Sequence, residues 1–276
     1  MNIDSFPVII EFVSGKIFGV LRGLNSVHDR IIIFCPATTG TRIGPQRIFV
    51  EIAQKLMDDK IASFCVDMPP LGDSFDTEKN NFQGTTVERL TQYYSKYLEI
   101  IIDFFKKKYG FKEFILLSIS DGGIPVYNYA MNIEEIKKII LLSPNHKLGS
   151  NQKLNKKNLK QYYNKLSRKE TWIKLFTFKL NFRKIIRNIY VYKSFKTKMI
   201  QFHESRTICV KEKVLVIFGE KDLMLNESID FWNKEQSNGR FKNYSCEIVK
   251  DADHSFFGWE FKRYAEKYIT DWLKNE

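Results

Sequence analysis

The sequence predicts an α/β protein, a mostly parallel and doubly wound sheet carrying a helical cap inserted after the sixth strand. Three observations predict it. Short, continuously apolar runs alternate with amphipathic stretches of helical period through the first half of the chain. That rhythm stops at residue 145 and gives way to a stretch with no buried strand. It resumes near Val214. The expected division is a core of residues 1–144 and 208–276 and an inserted cap of residues 145–207.

The elements follow in order. Phe6 to Phe12 and Lys16 to Leu24 are β-like runs separated by Ser14-Gly15, a hairpin arrangement. RIIIFCP (Arg30 to Pro36) is apolar throughout, as a strand covered on both faces must be. A Thr/Gly-rich loop, ATTGTRIGP, leads into a helix from Gln46 to Asp59 with Ile48, Ile52, Ala53 and Leu56 on one face. Strand-like Ile61 to Met68 precedes the turn-rich PPLGDSFD. A long amphipathic helix then runs from Thr86 to Tyr109, with Gly110 as its stop. FILLSIS (Phe114 to Ser120) turns at Asp121-Gly122-Gly123 into a helix through Tyr127 and Tyr129, and KKIILLSP (Lys137 to Pro144) follows as a buried strand. After the cap come VLVIFGE (Val214 to Glu220), Ser245 to Val249 and a C-terminal helix from Trp259 to Leu273.

Composition narrows the function classes. With 43% hydrophobic residues and 23 Phe, the chain can bury a core, so disorder is excluded as its main state. Cys35, Cys65, Cys209 and Cys246 are dispersed, form no CxxC pair and have no histidine at ligand spacing; reduced thiols and no metal or cofactor are expected. The N-terminus MNIDSFPVII lacks the pattern of a signal peptide, and no apolar run reaches membrane-spanning length, so the cytoplasm is the expected location.

Ser118-Ile119-Ser120-Asp121-Gly122 lies where a buried strand turns directly into a helix, the small-x-Ser-x-Gly pattern of a nucleophile elbow. So tight a turn demands small neighbours and lifts the central hydroxyl clear of the sheet at a helix N-terminus. A serine there needs a base, and the base needs an orienting acid. Asp222 follows the strand VLVIFGE, and His254 lies in DADHSFFGW between the last strand and the last helix. Singly, Asp222 could cap a helix and His254 could be an ordinary loop residue. Serine, acid and histidine in this chain order, each after a strand, point to Ser120 as nucleophile, His254 as general base and Asp222 as its orienting partner. His28 precedes its strand, and His146 and His203 fall at or inside the cap, which makes them poorer bases. The oxyanion donors expected are the backbone N–H of Asp121 and a second N–H after RIIIFCP, Ala37 first and Thr38 next.

These motifs resemble the α/β-hydrolase superfamily over nearly the whole chain. VDMPPLGDS (Val66 to Ser74) looks like its Asp-x-x-Gly-x-Gly-x-Ser loop with Pro70 in place of the first glycine, and FGEKD and DADHSFF look like its acid and histidine segments. GTRIGPQRIF (Gly40 to Phe49), with LKQYYNKL and TWIKLF in the cap, is similar to the exosortase-associated hydrolases. The chain departs from the pattern at Ser118, where the elbow usually has glycine. It departs again at Cys35-Pro36, where His-Gly is usual, and at Ser120 itself, since the narrower family often carries cysteine there. The resemblance implies an acyl-transfer type of site and brings no known substrate.

The charge is uneven. The chain carries +12, yet residues 147–206 hold 17 Lys and Arg against Glu170 and Glu204, a net of +15, which leaves −3 for the remainder. Aromatics are interleaved with these cations, among them Tyr162, Tyr163, Trp172, Phe176 and Phe178. An apolar underside suits a small-molecule or carrier-bound acyl substrate, and a basic exterior suits an acidic acyl-carrier protein, an anionic glycan or a membrane surface. No nucleic-acid-binding signature accompanies the charge. The expected activity is hydrolysis of a carboxylic ester or thioester through an acyl-enzyme. Transfer of the same acyl group to an alcohol or amine, in polysaccharide or secondary-metabolite biosynthesis, is the alternative, and an inactive binding protein is the third.

Overall fold

The computed structural model of the protein describes residues 4–24, 29–78, 87–146 and 210–274. The expected cap lies outside the described residues except for Asn145 and His146, as do His28, His203 and Cys209. The described segments before and after it build one sheet.

That sheet has nine strands: β1 (Ser5–Phe12), β2 (Gly15–Arg22), β3 (Arg30–Cys35), β4 (Ala62–Val66), β5 (Phe75–Asp76), β6 (Glu113–Ile119), β7 (Ile136–Leu142), β8 (Lys211–Gly219) and β9 (Phe241–Val249). Their spatial order is β1-β2-β4-β3-β6-β7-β8-β9, with the two-residue β5 pairing to β2. β1, β2 and β4 pair antiparallel, and every pair from β4 through β9 is parallel. Counting the short β5, which has no counterpart in the sequence expectation, residues 147–209 follow the seventh strand in chain order. Two residues carry too little periodicity to register as a strand in sequence.

Five helices flank the sheet among the described residues: α1 (Ile48–Asp58), α2 (Val87–Tyr109), α3 (Gly123–Ala130), α4 (Leu225–Ser237) and α5 (Trp259–Lys274). The apolar face expected of α1 is buried, with Phe49 added to it. α1 and α5 cover one side of the sheet, and α2, α3 and α4 the other. β3 illustrates why its sequence is apolar throughout. Ile31, Ile33 and Cys35 enter one core and Ile32 and Phe34 the opposite one. Cys35 and Cys65 are free and buried, and Cys246 is free and half-buried.

Chain order reverses across β3. The connection through α1 leads outward to β4 on one side, whereas β4 returns through α2 to β6 on the other. The loops leaving β3 and β6 therefore diverge and open a crevice at their carboxyl ends, the usual ligand position in such sheets.

Packing under the sheet is aromatic. Phe64 on β4 is fully buried and meets the Phe105 ring edge-on at 4.8 Å. Truncating a buried phenylalanine typically costs about 3–5 kcal/mol. Phe64→Ala is therefore expected to lower the urea midpoint by that equivalent with the slope unchanged, as measured by equilibrium unfolding.

Candidate active site

The site is assembled at the crevice between β3 and β6. These strands pair in parallel with Cys35 opposite Ser118, so the residues that follow each strand emerge side by side. Ser120 sits at the first residue past β6 with φ 55, in a short 3₁₀ turn that leads straight into α3. A non-glycine residue in the left-handed region is costly and is kept where the surroundings enforce it. Here they do, because Gly122 has no room for a side chain: a Cβ there would lie 2.6 Å from the Pro36 carbonyl and 2.8 Å from the Ser118 hydroxyl.

Three expected residues come together. Ser120 Oγ lies 2.8 Å from His254 Nε2, and His254 Nδ1 lies 2.7 Å from Asp222 Oδ2. With the Nδ1 proton donated to the carboxylate, Nε2 is left to accept from the serine hydroxyl. Asp222 caps the turn after β8, its Oδ1 accepting the Met224 N–H at 3.0 Å. Its side chain is 3% exposed against 42% for the imidazole, so the pair is closed at the acid and open at the base.

The electrostatics agree with this geometry. Burial pushes the Asp222 carboxyl upward, but the hydrogen bonds from His254 and from the Met224 N–H outweigh it and hold the group below the usual carboxylate range. The hydrogen bond to Asp222 raises the His254 imidazole against the opposing effect of burial, and the charges of Asp222, Asp253 and Asp121 add to the rise.

The loop after β3 is held from several sides. Ser118 Oγ donates to the Cys35 carbonyl at 3.0 Å, and the Tyr94 hydroxyl donates to the Pro36 carbonyl. The Ala37 carbonyl accepts the Gly40 N–H at 2.8 Å. Thr38 donates its N–H to Asp121 Oδ1 at 2.9 Å and its hydroxyl to Asp121 Oδ2. The Thr38 N–H is thus occupied, whereas among the described residues nothing accepts from Ala37. Cys35-Pro36, unusual in sequence, ends β3 with a thiol buried and pushed far up from its ordinary value, which leaves it unreactive.

Farther out, the buried Asp67 joins this loop to the next. Its carboxylate accepts the Arg42 N–H at 2.6 Å, the Arg42 guanidinium and the Asp73 N–H at 3.1 Å. Arg42 also reaches Asp73 at 2.7 Å. Gly72, at φ 59, packs its Cα where a side chain would strike the Asp67 carboxylate, which accounts for the glycine in PPLGDS.

Sequence reasoning missed Asp67, Arg42 and Tyr94, and passed over the carboxylate of Asp121. The segment VDMPPLGDS was a usable signal for Asp67; nothing local marks Tyr94, in mid-helix, as a partner of Pro36. His146 lies apart from the relay. Its Nδ1 is 2.8 Å from Ser228 Oγ and its ring stacks on Phe231.

No family model matches the chain, and no curated protein matches it either. Solved structures do. The esterase Pf2001 of Pyrococcus furiosus is 17% identical with a TM-score of 0.60, covering 99% of this chain and 95% of its own. Est1E of Butyrivibrio proteoclasticus, with ferulic acid bound, is 15% identical with a TM-score of 0.59, covering 97% of this chain and 100% of its own. A dienelactone hydrolase from Anabaena variabilis is 11% identical with a TM-score of 0.58, covering 98% of this chain and 96% of its own. The fold is that of the α/β hydrolases, as the sequence predicts.

The raised imidazole has a measurable sign. Its pairing with Asp222 stabilises the folded protein fully below the ordinary histidine value, about 6.5, and the contribution fades as pH rises through the higher folded value. In an NMR titration the His254 midpoint is expected above that ordinary value, and Asp222→Asn is expected to move it down.

Proposed function

We propose that this protein is a serine hydrolase that cleaves carboxylic esters or thioesters through an acyl-enzyme. The observation that carries the reading is the continuous relay Ser120–His254–Asp222, at 2.8 Å and 2.7 Å, with the serine in the left-handed conformation of an elbow. The likeness to esterases of other organisms supports it at the level of fold.

In this reading Ser120 Oγ attacks the substrate carbonyl carbon as its proton passes to His254 Nε2. The carbonyl electron pair moves to oxygen, which accepts hydrogen bonds from the Asp121 and Ala37 N–H groups; Thr38, its N–H spent on Asp121, is not a donor. Asp222 steadies the imidazolium. Collapse of the tetrahedral species breaks the bond to the alcohol or thiol, which leaves with the proton held on His254. Water, deprotonated by the same imidazole, then releases the acid from Ser120. Leu223, next to Asp222, and Phe257 and Trp259, shortly after His254, are large exposed apolar residues and favour an apolar acyl group.

A fluorophosphonate probe is expected to label the protein and to leave Ser120→Ala unlabelled; labelling that survives the substitution would overturn the assignment. Removal of the nucleophile or the base is expected to cost roughly 10⁶-fold in kcat, and Asp222→Asn on the order of 10⁴-fold.

The basic stretch of residues 147–206 suits an acidic acyl-carrier protein or an anionic glycan. Turnover of carrier-bound thioesters is then expected to fall with added salt while turnover of free thioesters does not. Equal and salt-insensitive rates would remove that partner.

A further inference from the structure

The three residues after β3 carry few free backbone donors. Pro36 has no N–H, and the Thr38 N–H is donated to Asp121 Oδ1. Ala37 is left as the sole backbone donor of the 36–38 stretch, and its peptide can rotate only if its neighbours let go. They are held at the Cys35 carbonyl by Ser118, at the Pro36 carbonyl by Tyr94, and at the Ala37 carbonyl by the Gly40 N–H. The remaining hold, on the far side of Ala37, is the Asp121 carboxylate, which takes both the N–H and the hydroxyl of Thr38, a residue 83 positions away.

Asp121 thus has two parts with different tasks. Its backbone N–H directly follows Ser120 in the turn that leads into α3. Its side chain reaches across the crevice and ties down the other wall. We propose that the Asp121 side chain is a positioning residue which, through Thr38, locks the loop after β3 and keeps the Ala37 N–H aimed at the carbonyl oxygen of a substrate on Ser120. This rests on the serine hydrolase reading above and goes beyond it by giving the residue after the nucleophile a second role.

The physical reason is preorganisation. A donor that must be reoriented during the reaction stabilises the developing oxyanion less than one already fixed, and loss of one such donor costs about 10²–10³-fold in kcat. The carboxylate also has an electrostatic signature. It faces His254 together with Asp222, which follows β8, and Asp253, from the histidine's own loop. Removing the Asp121 charge should lower the pH at which His254 loses its proton.

Asparagine separates the two effects. Its Oδ1 can accept the Thr38 N–H and its Nδ2 can donate to the Thr38 hydroxyl, so the tie survives without the charge. Steady-state kinetics on 4-nitrophenyl butyrate across pH test this. Asp121→Ala is expected to lower kcat about 10²-fold with KM within about twofold. Asp121→Asn is expected to recover kcat to within a few-fold of the parent while the acidic limb of its kcat/KM profile moves to lower pH. Thr38→Val, which keeps the N–H but removes the hydroxyl, is expected to fall between them and supplies the test should Asp121→Ala not fold. Parental kcat in the alanine or valine variant overturns the proposal, as does an asparagine variant as impaired as alanine. Failure of the underlying reading is seen separately, as absence of fluorophosphonate labelling in the parent protein.

Discussion

The in-register parallel pairing of β3 with β6 is the constraint on which the site depends. With Cys35 opposite Ser118, the two chains leave the sheet at the same height and on neighbouring tracks. Because chain order reverses at β3, they turn to opposite sides, and the space between them is a cleft that no side chain has to hollow out. A one-residue slip would exchange the faces of β6, sending Leu116 and Ser118 where Ile115 and Leu117 now pack. The apolar residues that bury this strand on both faces therefore set the position of Ser120 as well as the stability of the sheet.

Polar contacts refine what the sheet sets coarsely. Ser118, Tyr94, Asp121 and Asp67 each reach from a separate element to the segment 35–42. Asp67 is fully buried, and an unpaired charge there would be severely destabilising. Two backbone N–H groups and a guanidinium satisfy it. The result is a loop without regular secondary structure in which the carbonyls of Cys35, Pro36 and Ala37 and the N–H of Thr38 all have partners, a condition under which the Ala37 N–H between them acquires a defined direction.

Much of this was legible in the sequence, for physical reasons that also explain what was not. Continuous apolar runs such as RIIIFC and the helical stripe of α1 arise from burial on two faces and on one, and both patterns survive in a single sequence. α4 had no counterpart among the expectations because only Ser228 and Trp232 of its residues are buried, too few to make a stripe. β9 begins at Phe241, four residues before the expected Ser245, since as an edge strand its first half is largely exposed and polar. Ser120, Asp222 and His254 stand out by chain order. The straps do not, because a hydrogen bond between Tyr94 and Pro36 joins positions 58 apart and leaves no local pattern. Ser118 looked like a flaw in the elbow, yet its hydroxyl is one of those straps.

The left-handed backbone at Ser120 limits which chemistries this scaffold can acquire. A residue branched at Cβ is sharply disfavoured at positive φ, so threonine is barred from that position even though its hydroxyl is an adequate nucleophile. Cysteine has the same unbranched shape as serine and meets no such barrier. In evolutionary terms the backbone acts as a filter on side-chain shape at position 120, admitting the unbranched serine and cysteine and disfavouring a secondary alcohol.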